Sequence, residues 1–73
     1  MNTMEHDALH TGAMMLLRRR SRKVTALRAL LSAELSEGGD PVLMLDLRHR
    51  IHDAEREELA AEIQLEEIEN DED

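Results

Sequence analysis

The stretch Ser36-Glu37-Gly38-Gly39-Asp40-Pro41 decides the fold of this chain. Gly38 suits the left-handed backbone conformation that commonly follows a helix C-terminus. Asp40 suits an N-cap, and Pro41 suits the first helical position, where its missing N–H costs nothing. Because a helix stop and a helix start lie this close together, the two helices must reverse direction. The sequence therefore predicts an antiparallel helical hairpin.

Both flanks of this turn have the composition of helices. The chain has 73 residues, no aromatic residue and no cysteine, and it is rich in Ala, Leu, Glu and Arg, which favours helix over sheet. We predict an all-α fold with a single domain over residues 1–73. Its parts are a helix over 3–36, a turn over 37–40, a helix over 41–68 and an acidic tail over 69–73.

Apolar residues recur at spacings of three and four in both helices, which is typical of a packed seam. Arg20 and Glu58 interrupt the two stripes. With the turn centred at Gly38-Gly39 they come to the same level. We predict that they pair with each other, or with their copies in a dimer, and set the register. Leu9 and Leu35 are expected at the two ends of the stripe on the first helix. The predicted core and dimer contacts are Leu16, Val24, Leu27, Leu31, Met44, Leu47, Ile51 and Leu65.

A hairpin of this length leaves part of its apolar surface uncovered. Chains this short usually need disulfides, a metal or oligomerisation for stability. Without cysteine, disulfides and thiolate zinc sites are excluded. We therefore predict that two hairpins dimerise into a four-helix arrangement. The apolar residues that lie off the main stripes are Met14, Met15, Leu30, Leu43, Leu45 and Ile63.

Charge is distributed unevenly along the chain, which has a net charge of −8. Residues 18–28 hold six basic residues and no acid, whereas residues 53–73 hold eleven acids and one arginine. We predict that much of this asymmetry is neutralised inside the hairpin. The row of carboxylates on the second helix then resembles the phosphate backbone of DNA and suits a basic partner. The predicted partner contacts are Glu55, Glu62, Gly39 and Asp40, together with Arg18, Arg19 and Arg22.

The residue patterns favour binding over catalysis. His6 and His10 have a chelating spacing, as do His49 and His52, but the hairpin separates the two pairs, so we predict no metal and no cofactor. Carboxylates occur in charged runs, and the sequence holds neither a cysteine nucleophile nor a Gly-rich phosphate loop, so we predict no enzyme. The longest apolar runs fall far short of a membrane span, and a soluble cytoplasmic protein is expected.

One segment, the turn and the acidic end together resemble a known family. Leu-Leu-Arg-Arg-Arg-Ser-Arg-Lys-Val-Thr-Ala-Leu-Arg (16–28) and Gly-Gly-Asp-Pro (38–41) look like the quorum-sensing anti-activators of Mu-like temperate phages. These host-takeover proteins are helical-hairpin dimers. They bind the DNA-binding domain of a LuxR-type host activator, and also the host pilus-extension ATPase. The resemblance implies a phage-encoded homodimeric inhibitor in the host cytoplasm.

Two other function classes stay open. The Arg-rich segment 18–23 fits a small nucleic-acid-binding hairpin dimer, because phosphate neutralisation supplies much of the affinity for nucleic acid. The overall acidity of the chain opposes the approach of a polyanion, so nucleic acid is the second choice. A short, acidic, helical chain also fits an antitoxin-like partner protein.

Overall fold

A computed structural model of the chain describes residues 3–71, which form two helices, α1 (Thr3–Ser36) and α2 (Pro41–Asn70). The helices pack against each other as a hairpin with dimensions of 54 × 14 × 12 Å. This confirms the predicted all-α hairpin, and α1 covers the range expected from the sequence. α2 continues two residues beyond the expected end at 68, because the Asp71 N–H donates to the Glu67 carbonyl at 3.2 Å and closes one more turn. The predicted tail therefore starts later, and its last two residues lie outside the described range.

The C-terminus of α1 is closed by the two glycines. Gly38 has a φ of +66°, the left-handed conformation that glycine adopts without steric cost. The Gly39 N–H then donates to the Glu34 carbonyl at 2.8 Å. A Cβ at Gly39 would lie 3.0 Å from that same carbonyl oxygen, so the close approach also favours glycine.

The N-terminus of α2 is capped by Asp40. Its backbone is extended, and its Oδ1 accepts a hydrogen bond from the Val42 N–H at 2.9 Å. Its own carbonyl accepts from the Met44 N–H at 3.0 Å and so begins the helical pattern. Pro41 occupies the start of the helix, as the sequence predicts. The chain reverses direction because each helix end is closed by its own local residues.

The contact between the helices is one continuous seam in which spacings of three and four alternate. Every seam residue is buried or half-buried, and so is each of the eight predicted core residues, with Leu16 lying beside the seam. α1 contributes His6, His10, Ala13, Leu17, Arg20, Val24, Leu27, Leu31 and Glu34. α2 contributes Met44, Leu47, Ile51, Ala54, Glu58, Ala61, Leu65 and Ile68.

Small side chains form the centre of this seam. Val24, Ala54 and Ala61 are the most buried residues, at 1–2% exposure. Alanine brings little bulk between two helices, so their backbones can approach closely at these levels. The core is thin, and each buried methyl group is a large fraction of it.

The seam passes beside Leu9 and Leu35 at the two ends of α1, where the expected stripe was wrong. Both side chains are more than half exposed. His10 and Glu34 occupy the seam positions instead, because the regular alternation of three and four continues through them. Spacing, rather than hydrophobicity, fixes which residues meet α2 at these ends.

Arg20 contacts α2 at the predicted level but through a different atom. Its guanidinium donates to the main-chain carbonyl of Glu57 at 2.8 Å. Within residues 3–71 it forms no ion pair with Glu58, so the predicted pairing of the two side chains is replaced by a contact one residue earlier. Glu58 is only half-buried, and water can therefore solvate its carboxylate without an arginine partner.

Candidate interaction surfaces

The basic segment of α1 is divided by the helical phase into an inner and an outer set. Lys23 and Arg28 lie beside the seam and reach α2: Lys23 Nζ lies 3.5 Å from Glu57 Oε2, and Arg28 donates to Glu55 Oε2 at 2.9 Å. These two ion pairs provide part of the internal neutralisation that the sequence predicts, whereas Arg20 reaches only a main-chain carbonyl. Both ion pairs are about half exposed, so each contributes little to stability.

The outer set forms a surface that we name the arginine face, made of Met15, Arg18, Arg19 and Arg22. The four positions follow the i, i+3, i+4, i+7 spacing and share one side of α1, opposite α2. All four are exposed, and they line a shallow open cavity of about 280 Å³. In the described part of the chain, the three guanidinium groups have no hydrogen-bond or ion-pair partner.

α2 carries a surface with the same spacing and the opposite charge, which we name the acidic face: Leu59, Glu62, Ile63 and Glu66. Leu59 and Ile63 are 55% and 47% exposed. The two carboxylates make no ion pair with any residue of the described range. Of the two glutamates predicted to contact a partner, Glu62 is therefore available, whereas Glu55 is already paired with Arg28.

A third surface lies along one edge of the hairpin. On α1, Leu9, Leu16 and Leu30 are separated by multiples of seven residues, so they lie on the same side of the helix, beside the seam. Lys23 lies on that same side, and its ion pair with Glu57 marks the edge on which both helices meet. We name the set the leucine face; it consists of Leu9, Leu16, Leu30 and, on α2, Leu43. Leu16 is half-buried and the other three are exposed.

The two turn residues predicted as partner contacts, Gly39 and Asp40, have structural roles. Asp40 caps α2 through the Val42 N–H, and Gly39 lies against Glu34. Neither role prevents contact with a partner, since Asp40 is exposed. The local geometry nevertheless accounts for both residues without one.

The histidines of α1 join the two helices at the open end of the hairpin, which is the end opposite the turn. His6 Nε2 lies 3.1 Å from the Ile68 carbonyl, and His10 Nε2 lies 3.4 Å from Glu69 Oε2. Their rings stack with centroids 6.4 Å apart. In residues 3–71, no group of three potential ligands converges to hold a metal ion. Their chelating spacing was the only feature noted from the sequence. His6 lies seven residues before Ala13 and His10 seven residues before Leu17, a relation that places both histidines in the seam.

Neither α1 nor α2, which together make up nearly all of the described chain, has the length of apolar sequence needed to cross a bilayer. The three exposed faces of the hairpin are the candidate sites. No protein-family model, curated protein or solved structure matches the chain.

Proposed function

We propose that this chain is a non-enzymatic protein that acts by binding another protein, as a homodimer of hairpins. One observation carries the proposal: among residues 4–71, six apolar residues are buried, whereas ten large apolar residues are at least 41% exposed. Contiguous exposed apolar surface usually marks an interaction site. Six of the ten exposed residues lie on the three faces defined above, at positions set by helical spacing.

The leucine face is the surface that suits a second copy. Leu9 lies near the open end, while Leu30 and Leu43 lie nearer the turn. If two hairpins pack on a two-fold axis with their turns at opposite ends, the open-end leucine of each copy meets the turn-end leucines of the other. Lys23 and Glu57 then lie near the axis. Because the same patch of both copies meets there, the lysine of each copy can face the glutamate of the other. The result is a four-helix arrangement.

Light scattering and melting at several protein concentrations test the dimer. We expect a dimer whose melting temperature rises with concentration. Leu30→Lys should produce monomers, because it places a charge in the apolar contact. Leu45→Lys, at an equally exposed position on α2, is the matched control and should remain dimeric. A monomeric wild-type chain, or equal effects of both substitutions, would contradict the proposed contact.

The resemblance noted above supports a more specific role, in which the protein is a phage-encoded inhibitor in the cytoplasm of the host bacterium. Its target is then a LuxR-type transcriptional activator, the pilus-extension ATPase, or both. The unpaired carboxylates of Glu62 and Glu66 suit the basic surface of a DNA-binding domain. The protein would block the activator by occupying the surface that DNA uses.

Binding of purified activator domain and purified ATPase to the immobilised chain tests this role. Glu62→Lys should weaken binding of the activator domain. Glu67→Lys makes the same change of charge at an exposed position outside the acidic face and should leave binding unchanged. If neither target binds, the proposed targets are wrong. If both substitutions weaken binding equally, net charge rather than the acidic face explains the interaction.

A nucleic-acid-binding hairpin dimer is the second candidate, and the unpaired guanidinium groups of Arg18, Arg19 and Arg22 are the observation that favours it. Mobility shifts on duplex DNA and structured RNA at two salt concentrations test this function. We expect no shift at physiological salt, because each chain carries eight net negative charges. Tight binding with a logarithmic salt slope of about one per phosphate contact would favour nucleic acid instead.

A further inference from the structure

The arginine face is not explained by the stability of the hairpin. Arg20, Lys23 and Arg28 use their donors on α2, whereas Arg18, Arg19 and Arg22 point away from it. The chain has 17 acidic residues, so carboxylates were available for internal pairing. Three arginines on the outer side of α1 therefore form a cationic surface that the fold itself does not use.

The geometry of this face defines what can bind there. Its four residues cover two turns of helix, roughly 10 Å, which fits a short ligand segment. Met15 is 58% exposed and lines the cavity together with the three arginines. Methionine adapts to irregular apolar groups, while guanidinium groups bind carboxylates with paired hydrogen bonds. A matching ligand presents carboxylates and an apolar side chain on the same side.

We propose that the arginine face docks an acidic amphipathic helix of a partner protein, a second binding site besides the acidic and leucine faces. This inference rests on the proposed protein-binding function. A helix that presents carboxylates and aliphatic side chains at i, i+3, i+4 and i+7 matches the spacing of Met15, Arg18, Arg19 and Arg22. The acidic face of α2 shows that one helix can present such a set on its surface.

Two other ligands fit this face less well. A second copy binding through its own acidic face would leave its arginine face pointing outward, because that face lies opposite α2. Such a contact is heterologous and does not close into a dimer. A nucleic acid would extend beyond the patch onto a chain with a net charge of −8, and the chain has no aromatic residue on which bases could stack.

Fluorescence anisotropy with the full-length chain tests the proposal. The probe is a labelled 16-residue peptide that presents Leu-Glu-Ile-Glu at i, i+3, i+4 and i+7 on an otherwise alanine and glutamine helix. Replacing Arg18, Arg19 and Arg22 with glutamine should weaken binding about tenfold or more, since each exposed contact with a carboxylate contributes a modest share. The matched control replaces Arg28, Arg48 and Arg56 with glutamine, which removes the same charge at exposed positions outside the arginine and leucine faces.

The control variant should bind the peptide within about twofold of the wild-type chain, and Met15→Ala should weaken binding about threefold by removing the apolar contact. Circular dichroism of each variant verifies that the hairpin has formed. Equal losses in the two triple variants would overturn the proposal, and so would no binding of the peptide. Preferential, salt-sensitive binding of a 20-base-pair duplex would overturn it in favour of nucleic acid. If the activator domain or the ATPase still binds while the peptide does not, only this inference fails and the proposed function stands.

Discussion

Val24→Ala is the substitution that most directly tests the seam. Val24 is 2% exposed and is a member of the seam between the two helices. The substitution removes two methyl groups, which loses about 1.6 kcal/mol at about 0.8 kcal/mol per group. If the walls do not relax, a cavity of about 50 Å³ adds about 1.2 kcal/mol at about 24 cal/mol per Å³.

The higher helix propensity of alanine offsets about 0.5 kcal/mol of that loss. The free energy of unfolding should therefore fall by about 1–2.5 kcal/mol. In a chain of this size, that change lowers the melting temperature by about 5–20 °C. The assay is thermal unfolding followed by circular dichroism at 222 nm, with every variant at the same protein concentration because dimerisation would shift the midpoint.

The sequence contains its own control, since Val42→Ala makes the same chemical change where the side chain is 75% exposed. Val42 lies in the first turn of α2, and its replacement should leave the melting temperature unchanged or slightly higher. Equal losses at the two valines would refute the assignment of Val24 to the core. So would a melting temperature for Val24→Ala within experimental error of the wild-type value.

Three further experiments test the local structure. Gly12→Ala should raise the free energy of unfolding by about 0.5–1 kcal/mol, because the position is helical and an added Cβ would meet no other atom within 4 Å. Gly38→Ala should lower the free energy of unfolding by about 1–2 kcal/mol, because alanine is strained at a φ of +66°. Urea titrations that fail to give opposite signs would contradict this. Asp40→Ala should lower the free energy of unfolding by about 1 kcal/mol through loss of the cap, and amide exchange at Val42 should become faster. Asp40→Asn should retain most of the stability, because an asparagine side chain can also cap a helix. A double-mutant cycle on Arg28 and Glu55 should give a coupling below about 1 kcal/mol, because the pair is exposed to solvent; a coupling above about 2 kcal/mol would show that it is shielded.

The hairpin could be predicted because its determinants are local. The sequence from Gly38 to Pro41 contains both a helix stop and a helix start, and each requires only neighbouring residues to act. The seam of α2 could also be predicted, since its spacing of three and four is unbroken and its apolar residues coincide with it. Glu58 lies in the seam and is half-buried although it is charged.

The first helix was harder to predict because its leucines fit more than one phase. Leu9 and Leu35 look like seam residues by hydrophobicity, yet the seam continues through His10 and Glu34. Only spacing over the full helix distinguishes these possibilities. The alternating spacing of three and four passes through Arg20. It would therefore also have separated the basic residues that reach α2 from those on the outer side of α1.

The atom that Arg20 contacts could not be predicted from the sequence. A long arginine side chain reaches several acceptors from one backbone position, and both the Glu57 carbonyl and the Glu58 carboxylate lie at its level. Side-chain rotamers and solvation decide between them, and neither follows from spacing. For the same reason, the sequence could indicate Glu55 as a partner contact but could not show that its carboxylate pairs with Arg28.

The antiparallel pairing also implies an order in which the molecule opens and closes. Contacts near the turn join residues close in sequence, whereas the Arg28–Glu55, Arg20–Glu57 and His6–Ile68 contacts close loops of 27, 37 and 62 residues. Each doubling of loop length adds about 0.6 kcal/mol of closure entropy, but pairs beside an existing contact close only a small additional loop. Folding should therefore proceed like a zipper from the turn. Native-state amide exchange within the seam should therefore be faster at the histidine end, where the two helices separate first, than in the half nearer the turn.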